Sequence, residues 1–268
     1  MLPAYGDCAR RTAARQWPRL LAAKGYELRR LLPTVAAPIG TAVHHAAAMI
    51  LRTAGYGEAN IVEPAVQAAI DGFNGEIAPG AEWDTTSPNI GVAHQQITRM
   101  VQSLLPLLRT MRPTIIETQM RATISAGWEL TGHPDVIETA GLTDWKTGAV
   151  MRTPHAQLGA YGLLAESNGR PIDTMRQVYV PRVSPKEPQP APTIQAYDAD
   201  DCERAAEATV EQIIHDVERF ERTGDPFSFA ANPMSMMCTP KYCPCWGTSF
   251  CTLHLPAKPI TKEDPCKS

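Results

Sequence analysis

The stretch GHPDVIETAGLTDWKTG, residues 132–148, places Asp135 and Asp144 nine positions apart and Lys146 two beyond the second, in an otherwise apolar run. Alternate side chains of a strand share a face, so Asp144 and Lys146 project together while the Trp145 backbone carbonyl stays available between them. If Val136–Glu138 pairs with Leu142–Asp144 through a turn at Ala140-Gly141, Asp135 comes beside Asp144. Two adjacent carboxylates repel each other unless one is protonated or a cation lies between them. Oxygen donors suit hard ions such as Mg2+ or Mn2+. Such an ion lowers the pKa of water and withdraws charge from a phosphoryl oxygen, and a neighbouring ammonium offsets charge at phosphorus. The pattern therefore points to phosphodiester hydrolysis. An ordinary ion pair between Asp144 and Lys146, with Asp135 merely closing a turn after Pro134, is the structural alternative.

The same reading extends on both sides. The segment from Thr114 to Gly148 is rich in β-branched residues and punctuated by Gly127, Gly132 and Gly141, which predicts three strands joined by tight turns. Helices are expected over 8–32, with a break at Pro18, over Gly40–Gly55, capped by Thr41, and over Val92–Arg109. Further helices are expected over Pro154–Asn168 and Asp200–Arg222, with the buried strand TMRQVYVPR (174–182) between them. Five prolines in 181–192 read as an extended loop. Gln157 and Tyr161 are four apart, on one helical face, as are Gly40 and His44, and the imidazole can supply a further ligand.

Composition bounds the rest. In 268 residues, 44% apolar against 20% charged describes a globular chain, with no run long enough for a membrane span and no apolar core of a secretory signal at the start. A cytoplasmic location is expected, where seven cysteines form no disulfide framework. Four of them, Cys238, Cys243, Cys245 and Cys251, follow the spacing C-x4-C-x-C-x5-C, which suits a zinc ion or an iron-sulfur cluster. Cys202 and Cys266 read as free thiols. The net charge of −3 carries no signature of a nucleic-acid binder, yet Arg10, Arg11, Arg15, Arg19, Lys24, Arg29 and Arg30 stand against the single acid Glu27 between Cys8 and Arg30. That run is either a phosphate-binding patch or a solvated helix face.

The ordered set Gly40-x-x-x-His44, Gly132-x-Pro134-Asp135, Asp144-x-Lys146-Thr147-Gly148 and Gln157-x-x-x-Tyr161 resembles the RecB-like nucleases of the PD-(D/E)XK superfamily. The resemblance implies an α/β (mixed α+β) fold with a restriction-endonuclease-like core, a central mixed sheet flanked by helices. It also implies one nuclease domain over 1–268: a helical part to about residue 112, the core over 113–224, and a cysteine-rich tail from 225 packing back on the N-terminus. His44, Asp135, Asp144 and the Trp145 carbonyl would hold Mg2+ or Mn2+, Lys146 would be the catalytic lysine, and Gln157 and Tyr161 would flank it. Glu117 stands where the family often has an acid. One branch, which includes CRISPR-associated and helicase-nuclease members, ties its ends with a [4Fe-4S] cluster. By that pattern Cys8, Cys238, Cys243 and Cys251 are the ligands, with Cys245 as a substitute; zinc bound by the tail alone, or no metal, is the alternative.

The implied activity is a deoxyribonuclease, an exonuclease working on DNA ends in recombination, repair or replication in a phage or bacterium. Because no Gly-x-x-x-x-Gly-Lys-Ser/Thr run is present, the expectation is either that unwinding falls to partners such as a helicase, a recombinase or a single-strand-binding protein, or that the chain acts on ends and single strands. The other readings are a non-catalytic nucleic-acid-binding or assembly module on the same fold, and a cysteine-based metalloregulator.

Overall fold

The computed structural model describes residues 2–53, 61–148, 150–151 and 153–254. The Gly55 helix end and the Cys266 thiol expected above lie outside them. The chain forms two compact units, one of residues 32–211 and one of residues 3–31 with the chain from 212 onward.

The larger unit is built on a five-stranded mixed sheet. Its strands are β1 (Ile115–Ile116), β4 (Val136–Ile137), β5 (Gly141–Gly148), β6 (Thr174–Pro181) and β7 (Thr193–Tyr197), lying side by side in that order. Only β5 and β6 run parallel. They are joined through α7 (His155–Ser167), the crossover that a parallel pair requires. β2 (Met120–Ser125) and β3 (Trp128–Gly132) form a separate hairpin around Gly127, whose φ of 82° suits its turn. The segment read as three strands thus holds five. The GHPDV hairpin has the expected register, with Val136 opposite Thr143 and Ile137 opposite Leu142.

Three helices, α4 (Ala36–Thr53), α5 (Val62–Ile77) and α6 (Ile90–Leu108), share one core with Val136, Trp145, Val178 and Val180. One face of the central strands is therefore covered by these helices. Asp144 and Lys146 alternate onto the other face, toward α7. α4 begins four residues before the Gly40 start read from the sequence. Pro38 is tolerated in its first turn, and the Thr41 hydroxyl, expected as a cap, lies within the helix and donates to Ala37 O at 3.3 Å. α6 starts where the Asn89 side chain accepts from Val92 N at 3.0 Å. α5 and β7 have no counterpart in the sequence reading.

Two glycines set how closely helices approach their neighbours. A Cβ on Gly40 would lie 2.7 Å from Thr147 Oγ1, so α4 reaches the end of β5 only without a side chain there. A Cβ on Gly159 would lie 1.9 Å from the carbonyl oxygen of Cys202 on α8 (Ala199–Thr223), closing the α7–α8 crossing to any other residue. Cys202 itself is fully buried and free, as expected.

In the smaller unit the helix expected over 8–32 is two short ones, α2 (Ala9–Gln16) and α3 (Pro18–Ala23), preceded by α1 (Leu2–Asp7). The second of the two, α3, ends at Ala23, capped by Lys24, and Gly25 follows with a φ of 83°. Trp17, Tyr26, Phe220, Phe229 and Phe250 form the unit's aromatic core. Arg10 and Arg11, read as part of a phosphate patch or a solvated face, are buried: Arg10 Nε donates to Phe229 O at 3.2 Å, and Arg11 bridges Asp7 and Ser235. A guanidinium costs too much to bury without acceptors, and here tail carbonyls and hydroxyls supply them.

Overpacking at Gly159 should cost about 1–3 kcal/mol. Gly159→Ala should therefore lower the thermal midpoint by several degrees in a circular-dichroism melt. Gly72→Ala, in the interior of α5 where an added Cβ would meet nothing within 4 Å, should raise stability by about 0.5–1 kcal/mol.

Candidate active site

The site forms where β4 stops. Because β4 is two residues long, the edge of β5 beyond Thr143 has no strand partner there, and Trp145 N–H donates instead to Asp135 Oδ2 at 2.6 Å. In an extended strand a residue's N–H and C=O face the same edge, so the Trp145 carbonyl also turns toward the Asp135 side. The Trp145 ring is buried in the core and anchors this length of backbone.

Asp135 gathers two further elements. Its Oδ1 lies 3.1 Å from His44 Nδ1 on α4, and its carbonyl accepts from Glu117 N at 3.0 Å. Glu117, directly after β1, has φ 46°, the one left-handed non-glycine residue among those described, and its Oε1 lies 3.7 Å from His44 Nδ1. A non-glycine residue in that region is strained and persists where its surroundings impose it. His44, Glu117 and Asp135 each offer one ligand atom within 4.8 Å of the others, the one such group among the described residues.

Asp144 stands beside that trio without joining it. Its oxygens lie 2.9 and 2.7 Å from Lys146 Nζ, and Oδ1 also accepts from Gln157 Nε2 at 3.3 Å. The ammonium is out of line for a hydrogen bond to Oδ2, which is left without a partner in a side chain 1% exposed. Gln157 Nε2 reaches the Tyr161 hydroxyl at 3.0 Å. The structure thus brings His44, Asp135, Asp144, Lys146, Gln157 and Tyr161 into one connected set together with Glu117, which the family resemblance marked as standing where an acid is often found.

Electrostatics follow from crowding. Burial disfavours the His44 cation, but Asp135, Glu117 and Asp144 outweigh it and lift the pKa to about 10. Burial likewise opposes ionisation of Asp135, yet His44, Lys146 and the Trp145 N–H hold it below the usual carboxylate range. Asp144 goes the other way: burial, helped by the Asp135 charge, raises it to about 6 against the pull of Lys146. Burial keeps Tyr161 a neutral phenol.

The PD-(D/E)XK nuclease superfamily model matches residues 2–248. The chain belongs to the PD-(D/E)XK nuclease superfamily. Among solved structures, this nuclease chain is similar to a candidate exonuclease from Eubacterium rectale, at 12% identity over 72% of this chain and 73% of that one, with a TM-score of 0.45. It is also similar to LHK-Exo in complex with dAMP, at 12% identity over 69% and 96%, with a TM-score of 0.30. No curated protein matches it closely. PD-(D/E)XK nucleases use divalent metals, and the trio fits one. Bonds of about 2.0–2.1 Å to an octahedral ion put ligand atoms about 2.9–4.2 Å apart, the range of the His44–Asp135 and His44–Glu117 separations. No described helix is long and apolar enough to cross a membrane.

The cysteines meet in the smaller unit. Burial raises the Cys238 thiol, helped by nearby Cys243, Cys8 and Cys251, and the hydrogen bond with Cys243 raises Cys245, helped by burial and by Cys251 and Cys8. Cys245 Sγ lies 3.7 Å from Arg10 O, and Arg10 Nη1 lies 4.0 Å from Cys251 Sγ. Sequence reasoning missed His254, whose Nε2 is 3.2 Å from Cys238 Sγ and whose ring stacks on Trp246.

A metal ion bound through His44 must displace its proton. With that pKa at about 10, the imidazole is charged at pH 7, so Mn2+ affinity should rise about tenfold per pH unit between pH 6 and 8. Isothermal titration calorimetry in buffers of different ionisation enthalpy should also show about one proton released per ion; an affinity flat in pH would contradict this assignment.

Proposed function

We propose that the chain is a metal-dependent deoxyribonuclease, an exonuclease of the RecB-like branch that hydrolyses phosphodiester bonds in DNA during recombination, repair or replication. The observation that carries this reading is the pairing of a compact imidazole–dicarboxylate trio with a buried carboxylate–ammonium pair on the adjoining length of strand. His44, Glu117 and Asp135 would hold Mg2+ or Mn2+, with Asp144 and the Trp145 carbonyl close by to complete the set.

When bound, the ion supplies positive charge for the phosphoryl oxygens and makes water more acidic. The residues of the chain do the rest. Lys146 Nζ, held by Asp144, lies where an ammonium can orient the attacking water and offset charge at phosphorus. Asp144, whose burial raises its pKa to about 6, is poised to accept a proton. Gln157 fixes the Asp144 carboxylate and the neutral Tyr161 hydroxyl together, so α7 sets the orientation of the pair.

The sulfur site is a second part of the proposal. By the family resemblance, Cys8, Cys238, Cys243 and Cys251 would hold a [4Fe-4S] cluster, with Cys245 as the substitute, tying α2 to the tail; the mutual influence of these thiols supports their sharing one site. A helicase, recombinase or single-strand-binding protein would supply open DNA ends, and the setting is the cytoplasm of a bacterium or a phage-infected cell.

Purified protein with Mg2+ or Mn2+ should shorten linear DNA and spare a circular control. Lys146→Ala and Asp144→Asn should each reduce the rate about a thousandfold, the scale of losing one strong transition-state contact. If cleavage persists in both variants, the assigned residues are wrong; if the wild type binds DNA and never cuts it, the non-catalytic module is the better reading.

Protein purified without oxygen should be brown, with iron and sulfide in equal amounts, and Cys8→Ser should bleach it. Colourless protein with one zinc per chain would reject the cluster.

A further inference from the structure

Two of the trio, His44 and Glu117, line a cleft of about 550 Å3 that follows α4 from its first turn to Arg52, and most of that cleft has no part in holding an ion. Gly40 and Ala48 keep its floor low, so an elongated ligand can lie close against the helix. Thr41 adds only shape, because its hydroxyl already donates to Ala37 O. His45 and Arg52 are different. Both are exposed and line the cleft, and His45 makes no hydrogen bond among the described residues. Arg52 Nη2 donates to Ile116 O at 3.2 Å, which fixes the guanidinium one residue before Glu117 in the chain and leaves its other donors without an acceptor among the described residues.

We propose that this face of α4 is the track for the nucleic-acid strand being cut, with Arg52 gripping a backbone phosphate to one side of the scissile bond and His45 a nearer one. The inference rests on the nuclease reading and adds binding residues to it. Arg52 is eight residues from His44, so about 12 Å along the helix, far enough to set its fork on a phosphate beyond the scissile one in the same strand. The charges match the ligand: a cationic fork beside the trio attracts a phosphate, and an arginine tethered through one nitrogen keeps donors for bidentate contact. A cleft of this size is that of a small-ligand pocket, so it takes one strand and not two.

The test uses the full chain with Lys146→Ala as parent, so that binding is read without cutting. A fluorescein-labelled single-stranded oligonucleotide is titrated by anisotropy in Mn2+ at several salt concentrations. Arg52→Ala should weaken binding about tenfold and reduce the magnitude of the log–log salt slope by about 0.7, the loss of one phosphate contact on a single strand. Arg52→Lys should recover much of the affinity, and His45→Ala should weaken binding by a smaller factor. Mn2+ affinity should be the same in all of them, which shows the trio intact. Arg52→Ala and His45→Ala binding within twofold of the parent, or a parent that does not bind the oligonucleotide, would overturn the track. A wild type that binds with this Arg52 dependence yet cuts no DNA would keep the track and remove the nuclease reading.

Discussion

Asp135 makes three contacts, and the rest of the site is arranged around them. Its carbonyl takes the Glu117 N–H, one carboxylate oxygen faces His44, and the other takes the Trp145 N–H at 2.6 Å. These bonds fix the end of β1, the face of α4 and the open edge of β5 relative to a single side chain. A buried acid in that position is an energetic liability unless its charge is met on every side. The structure meets it with an imidazolium, a backbone donor and a nearby ammonium, and the left-handed turn at Glu117 is the backbone distortion that goes with this arrangement.

The neighbouring pair is tuned in the opposite sense. Asp144 and Lys146 share a face of β5, and Asp144 is so deeply buried that its carboxyl is hard to ionise. Two acids nine residues apart thus have distinct tendencies, one held ionised and one able to take a proton near neutrality. That division suits Asp135 to staying anionic toward a cation, and Asp144, beside it, to taking a proton as well. It depends on the shortness of β4: a ladder extended to a Pro134–Trp145 pair would occupy the Trp145 N–H and leave the Asp135 carboxylate without it.

The site was legible where chemistry and local pattern coincide. Period-two alternation and the Ala140-Gly141 turn fixed the register that sets Asp135 against Asp144, and four-residue spacing placed Gln157 with Tyr161. What could not be read was set by tertiary packing. α5 has no side-chain cap and carries Gly72 and Gly75, so nothing local announces it; its apolar residues Ala65, Ala69 and Phe73 make it a helix by burial. β7 is an edge strand with mostly exposed residues and no alternation to detect. Arg10 and Arg11 look like surface charge in sequence, because apart from Asp7 the acceptors that bury them, Phe229 O and Ser235 Oγ, come from more than two hundred residues away. His254 is a different case: it stands three residues after Cys251, so a Cys-x2-His spacing was there to be read beside the cysteine cluster, and folding brings it to Cys238.

The site works as described only if His44, Glu117 and Asp135 share one divalent ion beside Lys146. Anomalous diffraction from crystals soaked in Mn2+ tests this without recourse to activity. A single strong peak is expected about 2.0–2.2 Å from a ligand atom of each of the three, with Lys146 Nζ still close to Asp144. A peak bound elsewhere, or no peak at saturating Mn2+ with the trio unchanged, would contradict it.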